Sequence, residues 1–211
     1  MKDLGDLHYF LGIEVIRTPE GILVSQRHYM LSMLFKFGMT KCKSVSTPLD
    51  RNPKLRLDSG MTCDPTRFRH IAGSLIYLTI TRPDFSYLVG LISQFMSQTK
   101  AEHLQCVQRI LRYINGTKDK ALFYRACVAE QLVGYTDANW AENGGDHRST
   151  SGFAFSLGSI VIVWSSKKQP TMALLSTEAE YQGADVATCE AIWLKRLLKD
   201  LQVEVSNPTM I

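Results

Sequence analysis

The sequence predicts an α+β protein, and three observations carry that reading. Apolar residues alternate with a period of two near the N-terminus and again between residues 121 and 166; the stretch between them has helical spacing; and a long amphipathic helix follows the second β region. Strands and helices grouped in separate runs are the mark of the α+β class.

The first element is a β-hairpin. Leu7, Tyr9, Leu11, Ile13 and Val15 alternate on one face, Thr18-Pro19-Glu20-Gly21 supplies turn chemistry, and Ile22 and Val24 resume the alternation. In SQRHYMLSMLFKFG the apolar residues Met30, Met33, Leu34 and Phe37 recur at helical spacing, and Gly38 is placed to end the helix. These elements make up residues 1–40. Residues 41–62 hold Pro48 and Pro53 with little periodicity, which predicts a linker over the surface.

Residues 63–118 are helical three times over. One helix covers 65–80 and is stopped by Thr81-Arg82-Pro83-Asp84, and a second covers 85–97. The third opens on Thr99-Lys100-Ala101-Glu102, a capping box, and ends at Asn115-Gly116. Joined by such short loops, the three should pack as a small bundle.

From residue 119 to 211 the period returns to two, then to helix. ALFYRA (121–126), QLVGYTDA (131–138), GFAFSLG (152–158) and SIVIVWSS (159–166) read as strands. The last three form an antiparallel meander whose second turn is Gly158-Ser159. A helix over 176–201 puts Glu180, Ala184, Ala187, Ala191, Leu194, Leu198 and Leu201 on one face, with Glu178, Gln182, Asp185 and Arg196 opposite. Its alanines predict close approach to a sheet, with Glu180 pointing at that sheet.

Composition narrows the class. The 211 residues are 45% hydrophobic and 21% charged, enough for one large or two small folded domains. A net charge of +4 and a pI near 8.8 permit a nucleic-acid partner without requiring one. The five cysteines, Cys42, Cys63, Cys106, Cys127 and Cys189, are odd in number and lack zinc-ligand spacing, so they read as reduced thiols of an intracellular protein. MKDLGDLHYF, acidic at its third residue, fails as a secretory signal, and its direct entry into a strand suggests that Met1 is internal to a longer chain. The longest apolar run, IVIVW at 160–164, is far shorter than the roughly 20 residues of a spanning helix, so no membrane role is expected.

Two carboxylates stand out. Asp137 lies within a strand and Glu180 on the inward helix face; a buried carboxylate costs several kcal/mol unless a cation meets it. Each has an ordinary explanation as well. Thr177-x-x-Glu180 is a capping box, and Asp137 starts the turn at Asn139. Taken together they suit one hard divalent cation, since Mg²⁺ takes carboxylates in pairs while keeping waters and substrate phosphates. Clustered acidic residues also serve two-metal phosphodiester hydrolysis, though such sites usually need three or four. Lys167, Lys168 and the neighbouring Gln169, with Arg148 bordering the groove, are candidates for sequence-independent phosphate contacts, the plainer reading being a solvated loop. Trp140, Trp164 and Trp193 read as core or semi-core aromatics, and the histidines as surface or helix residues.

GYTDANW (134–140) and RSTSGFAFSLGSIVIVWSSKKQPTMALLSTEAEYQGA (148–184) resemble the ribonuclease H domain of copia-type retrotransposon polyproteins. MKDLGDLHYFLGIEV, TRPDFSYLVGLISQFM and QRILRYINGTK resemble the segment joining the reverse transcriptase palm to that domain, in collinear order over the whole chain. The resemblance implies a reverse transcriptase C-terminal hairpin and helix at 1–40, a linker at 41–62, a helical connection at 63–118 and a truncated ribonuclease H-like βββα(β) domain at 119–211. It implies Asp137 and Glu180 as catalytic Mg²⁺ ligands and hydrolysis of RNA in RNA–DNA hybrids, recognised by backbone shape and 2′-hydroxyls. The hairpin at 7–25 would correspond to the region gripping the primer end. A family member would carry a third catalytic Asp on a fourth strand beyond Ile211; Asp185, on the opposite helix face, and Asp200, several turns away, are no substitutes. Little or no activity is therefore expected of this chain alone. Two other readings stand beside this one. Arg109-Ile110-Leu111-Arg112 matches the R-x-L-R pattern of host-translocated effectors, and the chain is alternatively a relic whose unpaired strand edge favours aggregation.

Overall fold

The structure is a computed structural model that describes residues 5–49, 61, 63–126, 131–141, 146–158, 160–203, 205 and 209–211. Among these it is a mixed α and β protein with two antiparallel sheets and five α-helices. The chain divides into two compact units, Met1–Tyr124 and Arg125–Ile211. Pro53 and most of the expected linker, Cys127, Ser159 and Asn207-Pro208 lie outside the described residues.

In the first unit, β1 (Tyr9–Phe10), β2 (Ile13–Thr18), β3 (Gly21–Ser25) and β4 (Leu122–Arg125) form one sheet in that order. The alternation from Leu7 to Val15 is thus two strands, not one. The backbone reverses at Leu11 and Gly12, with φ of 47° and 77°, pairing Phe10 with Ile13 and Tyr9 with Glu14. Two successive positive φ values give the primed turn that matches strand twist, and alternation on both sides hides the break. The second turn is as expected, with Thr18 opposite Gly21 and Thr18 Oγ1 donating to the Gly21 carbonyl at 3.0 Å. β4 pairs with β3, a long-range choice that local periodicity cannot make.

Helix α1 (Arg27–Lys36) ends as Gly38 predicts. Gly38, at φ 71°, donates to Phe35 O at 3.0 Å, and Met39 N–H reaches back to Leu34 O at 2.8 Å, a Schellman closure. Asp64 caps α2 (Pro65–Leu78) by accepting from Thr66 N–H at 2.9 Å. A 3₁₀ turn at Pro83–Phe85 leads into α3 (Ser86–Ser93). This helix is shorter than the predicted 85–97 because both flanks tighten to i→i+3 bonds, Gln94 to Leu91 and Phe95 to Ile92 among them. Helix α4 (Ala101–Gly116) does not use the expected capping box: Thr99 Oγ1 donates to Phe95 O, and His103 Nδ1, not Glu102, accepts from Lys100 N–H at 3.1 Å. His103, a helix residue as the sequence allows, is fully buried with its ring centroid 4.0 Å from that of Phe95.

Met30, Met33 and Leu34 of α1 share one core with Phe68, Leu75, Ile92, Ile110 and Ile114, so residues 1–40 and the 63–118 helices pack as one body. The described part of the 41–62 stretch is pinned along α4 by Asn115 to Cys42 O, Arg112 to Lys43 O and Arg109 to Thr47 Oγ1. Val45 and Leu49 pack against the core.

The second unit has the predicted meander: β5 (Leu132–Asn139), β6 (Thr150–Leu157) and β7 (Ile160–Lys168), antiparallel in that order. Helix α5 (Ser176–Asp200) lies against β5 and β6, burying Ala187, Ala191, Leu194 and Leu198 against Leu132 and Phe155. Small residues permit this approach; a Cβ on Gly183 would stand 3.3 Å from Ser151 Oγ and 3.4 Å from Thr136 Oγ1. On the other edge of β5, Met210 forms an isolated parallel bridge with Val133, and its carbonyl accepts from Gly134 N–H at 2.7 Å.

Candidate functional site

Strand β5 and helix α5 bring their two nominated carboxylates into neighbouring elements, but neither residue is buried. The buried line of α5 begins at Ala179 and continues through Gly183 and Ala187, so Glu180 sits about 100° around the helix from Ala179, in solvent. A helical wheel extrapolated from the distal turns puts Glu180 inward, but in the first turn Ala179 is the buried residue and Glu180 is exposed. On β5, Thr136 faces Gly183, and adjacent strand residues project to opposite faces, so Asp137 projects away from α5. The expectation of two carboxylates converging on a buried edge is corrected accordingly.

The structure also removes one ordinary explanation of Glu180. The carboxylate closing the turn before α5 belongs to Glu178, whose Oε2 accepts from Leu174 N–H at 2.7 Å. Glu180 and Asp137 make no hydrogen bond or ion pair among the described residues. They are free for an external ligand. Two exposed carboxylates are nonetheless an incomplete donor set: among the described residues no group of three or more His, Cys, Asp or Glu is arranged to hold a metal ion.

Gln169, which sequence reasoning grouped with the phosphate-contacting lysines, is buried instead. Its Nε2 donates to Ser151 Oγ at 2.6 Å and to Ala179 O at 2.8 Å, and its backbone N–H donates to Ser149 O at 2.8 Å. One side chain thus ties β6, the end of β7 and the first turn of α5. Ser149 is itself fully buried, with Oγ accepting from Ala141 N–H at 3.2 Å. Neither residue has a sequence signature beyond its position at a strand end.

The three basic candidates divide. Lys167 is exposed on β7, opposite Ser151. Lys168 Nζ lies 2.7 Å from Asp146 Oδ2, and Arg148 Nε lies 3.6 Å from the same oxygen. Burial alone would raise the Asp146 carboxyl pKa, but the Lys168 ammonium, the Arg148 N–H and both positive charges hold it below the ordinary range. Of the tryptophans, Trp164 is half-buried, whereas Trp140 and Trp193 are exposed, against expectation. Trp140 Nε1 donates to Ala173 O at 3.0 Å. Cys42, Cys63, Cys106 and Cys189 form no disulfide, and no helix among the described residues is long and apolar enough to cross a membrane.

A family model described as reverse transcriptase (RNA-dependent DNA polymerase) matches residues 1–51. The retrovirus-related Pol polyprotein from transposon RE1 of Arabidopsis thaliana is 45% identical over 100% of this chain and 14% of its own length. The corresponding polyprotein from transposon TNT 1-94 of Nicotiana tabacum is 37% identical over 95% of this chain and 16% of its own. A protein named secreted RxLR effector protein 161, from Plasmopara viticola, is 45% identical over 58% of this chain and 87% of its own length. No solved structure matches the chain. The chain spans about one seventh of the Pol polyproteins it matches, and, similar to them along essentially its whole length, it belongs to the retrovirus-related Pol polyproteins of copia-type transposons.

Proposed function

We propose that the chain is the part of such a polyprotein that runs from the end of reverse transcriptase, through a helical connection, into a ribonuclease H-like domain. The parent activity would be Mg²⁺-dependent hydrolysis of RNA in RNA–DNA hybrids, with Asp137 and Glu180 as the ligands this chain contributes. The observation that carries the reading is the order of the second unit: a three-stranded antiparallel meander, a long helix across it, and a parallel contact from Met210 beside β5. This order supports the βββα(β) reading that the resemblance implies; Asp137 and Glu180, exposed and without structural bonds, are open to a ligand, although Asp137 projects from the sheet face away from α5.

With no group of three or more metal-ligating side chains among the described residues, we infer that the purified 211-residue chain cleaves hybrids little or not at all. The test is a Mg²⁺ titration followed by NMR. Weak, saturable shifts centred on Asp137 and Glu180, and lost in Asp137→Asn, are expected; shifts elsewhere, or none, would sink the ligand assignment. Robust cleavage abolished by Asp137→Asn would instead overturn the inference of inactivity.

The effector reading has less support. In Arg109-Ile110-Leu111-Arg112 both apolar residues are buried in α4, and both arginines are engaged with the 43–47 segment. That tetrapeptide is fold, not an accessible linear signal.

A further inference from the structure

We propose that Arg148 and Lys168 form a phosphodiester-binding site whose anion position is held, in the free protein, by the carboxylate of Asp146. The inference rests on the reading that this unit meets nucleic acid, and it adds a regulated contact away from Asp137 and Glu180.

The first argument is convergence. Lys168 Nζ at 2.7 Å and Arg148 Nε at 3.6 Å share one oxygen, Asp146 Oδ2, while Arg148 backbone N–H donates to Oδ1 at 3.3 Å. Two cations and an amide aimed at one anion are the donor set that recognises a phosphate, and the planar guanidinium suits phosphate oxygens as well as carboxylate.

The second argument is the difference in anchoring. The cations are attached to fixed backbone: Lys168 pairs with Thr150 across β6 and β7, and between them Ser149 and Gln169 are buried and bonded to each other. Asp146 is joined to this frame through exposed His147, at φ 51°, outside either strand. Its side chain is 43% exposed, as is 45% of Arg148, so a competing anion has access to the site. Ion pairs this exposed are weak and screened by salt, so a polyanion can displace the carboxylate without rearranging the sheet.

The sign of the consequence is unusual. Replacing an acidic residue well away from the nominated metal ligands should strengthen nucleic-acid binding by removing the anion that both cations share. The measurement is anisotropy of a labelled RNA–DNA hybrid on the purified chain over about 50 to 200 mM salt. Asp146→Asn should bind about three- to tenfold tighter at the low end, with the salt slope steeper by about one to two. Adding Lys168→Gln should return both values toward wild type. Asparagine retains an oxygen for the Arg148 N–H, and Asp146→Ser, a second way of removing the charge, must give the same gain. Unchanged or weaker binding in both variants overturns the proposal, as does a gain that survives Lys168→Gln. Because Lys168→Gln also restores the wild-type net charge, Lys199→Gln in the last turn of α5 is the control, and an equal reversal by it would make the gain an effect of net charge and overturn the proposal. The Mg²⁺ shifts at Asp137 and Glu180 are read independently in the wild-type chain. If they are absent while the Asp146→Asn gain is present, the nuclease reading fails and the anion site stands.

Discussion

Arg82 grips Asp84 through two parallel bonds, Nε to Oδ1 at 2.9 Å and Nη2 to Oδ2 at 2.8 Å, from a position 3% exposed. The same guanidinium donates to Thr117 O and Oγ1 after α4, and Tyr113 OH donates to Asp84 Oδ2 at 2.7 Å. The sequence Thr81-Arg82-Pro83-Asp84, which reads only as a helix stop, is in three dimensions the polar lock between the α2–α3 corner and the end of α4.

Removing the carboxylate leaves Arg82 as a buried cation without a counter-charge, held by Thr117, Met30 Sδ and the Phe85 and Tyr113 rings. Asp84→Ala should cost about 2 to 3 kcal/mol in urea denaturation, the lower part of the range for a broken buried pair because the Asp84 side chain is 35% exposed. Burial raises the Asp84 pKa, but the bonds from Arg82 and Tyr113 and the Arg82 charge outweigh it, leaving the carboxyl below its ordinary value. A carboxylate that protonates less readily folded than unfolded adds stability above the unfolded pKa, and that stability is lost as pH falls. Wild type should therefore lose stability below about pH 4 more steeply than Asp84→Ala. Equal acid limbs for the two proteins would show that the lock contributes nothing.

Gly134 is required by packing. A Cβ there would lie 2.5 Å from Cε1 of Phe155, a fully buried ring. Gly134→Ala should destabilise the second unit by about 1 to 3 kcal/mol through overpacking. Phe155→Leu in the same chain should recover part of that loss. A double variant no better than the sum of the singles would place the strain elsewhere.

Local signals made much of this fold readable. Gly38 ends α1 through backbone freedom it alone supplies, and the 131–166 alternation registers as three strands paired antiparallel in chain order. Three features were illegible for physical reasons. Leu11-Gly12 reverses a strand inside an unbroken alternation, β4 chooses β3 by a long-range pairing, and Glu180 is exposed at the start of α5 while its neighbour Ala179 is buried. Periodicity describes a regular element; it carries no information on where along that element the packed surface begins. Of the candidate site, the residue types at Asp137 and Glu180 were visible, while Asp146, Ser149 and Gln169 acquire meaning only from their partners.

Glu14 caps a helix that it does not precede. From β2, its Oε1 accepts from His28 N–H in the first turn of α1 at 2.7 Å and from His28 Nδ1 at 3.0 Å. Burial raises the Glu14 pKa, but the His28 backbone and ring contacts hold it below the ordinary value. Glu14→Gln should cost about 1 kcal/mol at neutral pH, typical of a lost cap, with the difference from wild type closing as pH falls below about 4.5. Paired melts at pH 7 and near pH 3.5 test this; a difference that persists in acid would assign the loss to packing.

Gln169 separates a structural residue from a ligand-contacting one. If it served phosphate contact, as its neighbours Lys167 and Lys168 suggest from sequence, Gln169→Ala would lower nucleic-acid affinity and leave stability alone. Its burial and its bonds to Ser151 Oγ and Ala179 O predict the reverse. Truncation removes the bonds to Ser151 Oγ and to the Ala179 carbonyl, which keeps its place in the α5 ladder, a loss of roughly 1 to 2 kcal/mol. Hydrogen exchange should show faster opening of residues 176–181 than of the distal turns of α5, which Leu194 and Leu198 hold in the core. Hybrid affinity and its salt slope should stay within error of wild type, since Gln169 carries no charge to release counterions. A variant that keeps its melting temperature but binds hybrid several-fold more weakly would move Gln169 from the frame of the site to its surface.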